Sequence, residues 1–117
     1  METSLAQLQA HIDALSHPAW AFDPNTLQFL AVNAAALELY GYTRKEFLRL
    51  TVLDVRPTTE IKRFLGVMRE AAFVGSHGEW RHRNRRGEEF DVYIDCEPCL
   101  LEGRAARVAY VRSSRPK

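Results

Sequence analysis

The sequence predicts an α+β domain: one antiparallel sheet with helices on one side. Three observations carry this. Apolar residues recur at helical spacing at the start of the chain. Two short helical pieces, joined by Gly41, follow a strand-like run and precede a long amphipathic helix. Beyond residue 77 the pattern is that of strands separated by turn signals.

Each element has its own justification. In the first segment Leu5, Leu8, Ile12 and Leu15 form a narrow helical stripe that His17-Pro18 ends. The stripe serves either to dock on the domain or to pair with a second chain, and we expect a homodimer built on it. AWAF (19–22) reads as a strand, DPNT (23–26) as a turn and LQFLAVN (27–33) as the returning strand. Asn33 is an N-cap for a helix through Tyr40. Gly41 accepts the left-handed conformation that ends it. Thr43 to Glu46 reads as a capping box, with Tyr42 and Phe47 as a hydrophobic staple. TVLDVRP (51–57) is a loop or short turn closed by Pro57.

The longest helix is expected over 58–75, with Ile61, Phe64, Leu65, Met68, Ala71 and Ala72 on one face and Gly75 as its stop. Gly66 inside it is either a tolerated exposed glycine or a point of close approach. GEWRHRNRRGEEFDVYIDCEP (78–98) then reads as a hairpin. A three-residue loop, Arg85-Arg86-Gly87, sets Trp80 against Val92, His82 against Phe90, Arg81 against Asp91 and Arg83 against Glu89. A two-residue loop would mix the apolar and charged faces. RVAYVRS (107–113) is the last strand, and 114–117 reads as a tail.

Composition narrows the function. The 117 residues are 46% hydrophobic and 26% charged, as in an ordinary globular domain, with net charge +1. Bulk charge therefore points to neither nucleic acid nor membrane. With two cysteines and no signal-peptide pattern, free thiols and a cytoplasmic location are expected. Cys96-Glu97-Pro98-Cys99 has redox or zinc spacing, but residues i and i+3 of a strand face opposite sides. No second such motif exists to complete four zinc ligands. The basic run Arg81, His82, Arg83, Arg85, Arg86 is largely paired by the hairpin register, leaving Arg85 and Arg86 as the unpaired charges. No catalytic constellation is recognisable.

Taken in order, these segments resemble a PAS domain. The resemblance is carried by VNAAALELYGYTRKEF, by the hairpin GEWRHRNRRGEEFDVYIDCEP and by LEGRAARVAYVR, and covers nearly the whole chain. It implies a five-stranded antiparallel sheet over 18–113 with short helices across one face, preceded by the amphipathic helix of 1–17. The space between sheet and helices can hold a small ligand. It further implies a bacterial sensory module, the input part of a longer protein such as a histidine kinase or cyclic-di-nucleotide enzyme. Ser113 stands where the family commonly has the Asp of an Asp-hydrophobic-Thr coupling motif. Haem-binding relatives use a histidine on the long helix, and 58–75 has none; the flavin photochemistry motif Asn-Cys-Arg-Phe-Leu-Gln is missing as well. Both cofactors are therefore disfavoured, and the ligand is left open. Candidate pocket residues are Asn33, Tyr40, Phe64, Met68, Trp80, His82, Val92 and Tyr110. A packed core accounts for the same side chains, capping accounts for Asn33, and a hydrogen-bonded structural role accounts for His82.

Overall fold

A computed structural model describes residues 3–69 and 77–116. The elements run α1 (Leu5–Asp13), β1 (Ala19–Phe22), β2 (Phe29–Val32), α2 (Ala34–Tyr40), α3 (Arg44–Phe47), α4 (Thr58–Arg69), β3 (His77–Arg83), β4 (Glu89–Leu101) and β5 (Arg104–Pro116). The strands form one sheet in the order β2-β1-β5-β4-β3. Every pairing is antiparallel.

Local signals set most boundaries. Asn33 caps α2 by accepting from the Ala36 N–H, and Gly41 ends it at φ 82°. Thr43 and Glu46 form the capping box of α3. The Tyr42 and Phe47 rings meet edge to face at 6.2 Å, closing the staple. The β3–β4 hairpin has the register that the charge pattern predicts, from Trp80 opposite Val92 to Arg83 opposite Glu89. Gly87 is left-handed at φ 83°.

Two expectations need adjusting. The last strand is longer than 107–113: β5 continues through Ser114, Arg115 and Pro116, which pair with Val92, Asp91 and Phe90. Glu102 and Gly103 both have positive φ, the turn type whose twist matches a long hairpin. Arg85 is also not an unpaired charge; it forms an ion pair with Glu46 at 3.2 Å. The expected end of the long helix at Ala71, Ala72 and Gly75 lies outside the described residues.

The sheet has two buried faces. The inner one carries Trp20, Phe22, Phe29, Val32, Trp80, Phe90, Val92, Ile94, Cys96, Ala109 and Val111, packed under α2 to α4. The outer one is floored by Ala19, Ala21, Ala31 and Ala106 and covered by α1 through Leu8 and Ile12. Alanine stubs leave room for a helix to lie close, which answers what the N-terminal stripe is for. Leu8 and Ile12 are 4% and 0% exposed within a single chain. They are spent on the domain's own sheet, so the expected dimer contact through them is not free. Leu15 is half-buried against the same cluster, and Leu5 is exposed. Among the described residues, no helix is long and apolar enough to cross a membrane.

Candidate functional site

A cavity of about 150 Å³ lies between the inner face and α4. Strands supply its floor: Trp20 and Phe22 from β1, Ala109 from β5, Ile94 and Cys96 from β4, Gly78 and Trp80 from β3. Helix α4 contributes Arg63, Phe64 and Val67, and the segment before it contributes Val52 and Arg56. The space has a sequence cause. Ala109 and Gly78 are small, while the residues around them are large and stiff. Both of the chain's tryptophans are in the wall. A cavity of this size in an apolar core accommodates a benzene-sized molecule.

The wall is aromatic with one buried cation. Phe64 and Trp80 meet edge to face at 5.7 Å. The Arg56 guanidinium carbon stands 3.9 Å from the Phe64 centroid and 5.3 Å from the Trp80 ring. Arg56 Nη1 donates to the Val52 carbonyl at 2.6 Å. Burial pushes the Arg56 pKa down to about 10, so it is still a cation at neutral pH. At the rim, half-exposed Arg63 covers Trp80 at 3.9 Å and pairs with Glu60 at 3.2 Å. The Cys96 thiol is pushed up to about 11 by burial, which leaves it protonated and unreactive.

Behind the cavity, the inner core holds a polar pair. Tyr40 Oη and His82 Nδ1 are hydrogen-bonded, and both residues are fully buried. Desolvation drives the His82 pKa well below its ordinary value, with the charge of Arg56 adding to it. The Tyr40 hydroxyl is held far above the usual phenol range, also by burial.

The structure brings together some of the predicted pocket residues and separates others. Phe64 and Trp80 line the cavity. Tyr40, His82 and Val92 pack in the same inner face without reaching its wall, and Met68 lies at the edge of that cluster. Asn33 is buried in a capping network, away from the cavity. Tyr110 faces the opposite side of the sheet, beside Leu15 and His17, where its hydroxyl donates to Glu97 at 2.8 Å. Its neighbour Ala109 is the residue of β5 that faces the cavity. Sequence reasoning missed Arg56, Trp20 and Phe22. Period-2 alternation in AWAF holds the signal for the two aromatics, which share a face. Arg56, in a turn with no periodicity, carries no such signal. Cys96 and Cys99 sit on opposite faces, one in each core cluster, as the strand period requires. Among the described residues, no group of three or more His, Cys, Asp or Glu is placed to hold a metal.

An antiparallel five-stranded sheet with short helices over one face and a cavity beneath them defines a class of small α+β domains. Comparison with solved structures makes this specific: the fold is that of a PAS domain. The PAS domain of a protein from Colwellia psychrerythraea superposes with a TM-score of 0.77 at 18% identity, covering 93% of this chain and 95% of that one. A domain of a sensory box sensor histidine kinase/response regulator from Geobacter sulfurreducens matches at a TM-score of 0.70 and 22% identity, covering 91% and 90%. A LOV protein from Rhodobacter sphaeroides matches at 0.73 and 17%, covering 89% of this chain and 62% of that one. No family model matches the sequence, and no curated protein matches it.

Proposed function

We propose that this chain is the sensory input of a signalling system and binds a small ligand in the cavity between the sheet and α4. The observation that carries this reading is the cavity itself, walled by Trp20, Trp80, Phe64 and Arg56. Well-packed cores rarely leave a space of this size. Two of the similar structures come from sensor histidine kinases, which suits an output of that kind, or a cyclic-di-nucleotide enzyme, in a longer protein or a partner. The proposed setting is the bacterial cytoplasm.

Native mass spectrometry beside a thermal-shift screen of small aromatic compounds tests the reading. Extra mass released on unfolding, or stabilisation by a compound that Val67→Phe abolishes, is the expected result. A bare chain that no compound stabilises would overturn it.

A homodimer is a second reading, and one observation favours it. Among the described residues, Leu5 and Leu100 are the large apolar side chains left exposed, at 42% and 47%, and they flank the bridge between Thr3 and Leu101. Sedimentation at several concentrations is expected to show a dimer that Leu5→Asp with Leu100→Asp dissociates. A monomer throughout would rule the dimer out.

A further inference from the structure

The apolar walls do not explain Arg56. Its side chain is buried at 4% exposure. One donor, Nη1, is placed on the Val52 carbonyl, while Nε is buried with no acceptor among the described residues. The aromatic faces of Phe64 and Trp80 attract the cation but cannot accept an in-plane N–H. Of the two acids near it in sequence, Asp54 accepts from the Thr51 N–H and hydroxyl, and Glu60 is committed elsewhere. Its carboxylate accepts from Arg63 Nε and Nη2 and from the Arg81 N–H. No ion pair reaches Arg56 among the described residues.

A buried guanidinium that no carboxylate touches is costly, because the charge has left water and Glu60, held by Arg63, offsets it only from a distance. The same desolvation makes the site avid for an anion. Guanidinium geometry matches a carboxylate, with two parallel donors to two oxygens. Trp20, Phe22, Phe64 and Trp80 give the wall flat aromatic faces among aliphatic side chains, and the volume is that of one ring. Arg63 at the rim is already neutralised by Glu60, so the site offers one unmatched charge.

On the reading of this cavity as a ligand site, we propose that its ligand is a small monocarboxylate with a flat apolar body. The carboxylate pairs with Arg56, and the body rests against Phe64, Trp80 and Trp20. The pairing gives the unsatisfied guanidinium its acceptor and buries the ring in place of empty space.

The test is a fluorescence titration, since both tryptophans line the cavity and report on its occupation. Benzoate is the probe, benzamide its neutral isostere and toluene the ring alone. Benzoate is expected to bind about tenfold tighter than benzamide or better. Arg56→Met is expected to abolish that advantage while toluene still binds. Arg56→Lys, which keeps the charge but not the fork, is expected to fall between. If Arg56→Met does not fold, the wild-type ratio decides, with Val67→Phe as the variant that must lose all three probes. Toluene and benzamide binding without preference for benzoate would overturn the carboxylate proposal and leave the cavity as a ligand site. So would benzoate binding unchanged by Arg56→Met. Failure of all three probes would overturn both readings.

Discussion

Tyr40 and His82, 42 positions apart in sequence, are joined by a 2.5 Å hydrogen bond inside the core, and His82 Nε2 has no partner among the described residues. The imidazole is therefore held neutral, far from water and near the Arg56 charge. On unfolding it returns to an ordinary pKa near 6.5. The folded pKa is depressed, so below pH 6.5 the unfolded state takes up a proton that the folded state refuses. Stability is complete above that pH and lost as pH falls, by up to about 1.4 kcal/mol per pH unit. Urea unfolding between pH 7.5 and 5 is expected to show this slope, and His82→Gln to flatten it. Among the described residues, the carboxylates with depressed values, Glu46 and Glu60, lose their contributions only at lower pH, as they protonate below about 4.5. A slope unchanged in His82→Gln would assign the acid sensitivity to another group.

Two glycines are expected to respond to alanine with opposite signs. At Gly66 an added Cβ meets nothing within 4 Å, and the residue lies in the exposed face of α4. Gly66→Ala should stabilise the fold by about 1 kcal/mol through helix propensity alone. At Gly41 the added Cβ would have room, 3.7 Å from the Arg85 Cβ, but the backbone is left-handed at φ 82°. Gly41→Ala should cost about 1–2 kcal/mol for that conformation. Thermal denaturation of the two variants, shifting apart around the parent, is the check.

How much of this was legible in the sequence depended on the range of the interaction. Caps are local, so Asn33, Gly41 and Thr43 could be placed from their neighbours. The hairpin register followed from which charges and which aromatics must share a face. Which side of the sheet Tyr110 takes is a different matter. Val108, Ala109, Tyr110 and Val111 are contiguous and apolar and both faces of the sheet are covered, so period two does not say which alternate pair faces the cavity. The docking of α1 on the alanine floor could not be separated from dimerisation, since the same stripe serves either. Arg56 was illegible because its meaning comes from Phe64 and Trp80, which approach it only in the folded chain.

The two thiols should behave as unrelated groups. Cys96 faces the inner core and Cys99 the outer one, with Pro98 held in the ladder opposite Arg107. Burial also raises both thiol pKa values, that of Cys96 to about 11. A disulfide between them would require the strand to break. Under mild oxidation the intact mass should not fall by two hydrogens. A thiol reagent at neutral pH should titrate at most one group in the folded chain and both in urea. Loss of two hydrogens without loss of structure would show that this strand opens.

Asn33 is expected to be the costliest single polar substitution. Its carboxamide oxygen accepts from the N–H of Ala19 and of Ala36, each at 3.0 Å. Its amide nitrogen donates to the carbonyls of Ile12 at 2.9 Å and His17 at 2.8 Å. One side chain thus ties the end of α1, the start of β1 and the cap of α2, using its full bonding capacity. Asn33→Ala would remove four hydrogen bonds and leave the buried N–H groups of Ala19 and Ala36 without this acceptor, at roughly 1–3 kcal/mol for each that water cannot reach, while the Ile12 carbonyl keeps the Leu15 N–H. Asn33→Asp keeps the two acceptor contacts but sets a carboxylate oxygen against two carbonyls. It should therefore recover only part of the loss, although aspartate is as good an N-cap as asparagine on an isolated helix. Chemical denaturation would separate the cases. An aspartate variant as stable as the parent would mean that the cap alone matters and that the tie to α1 contributes nothing.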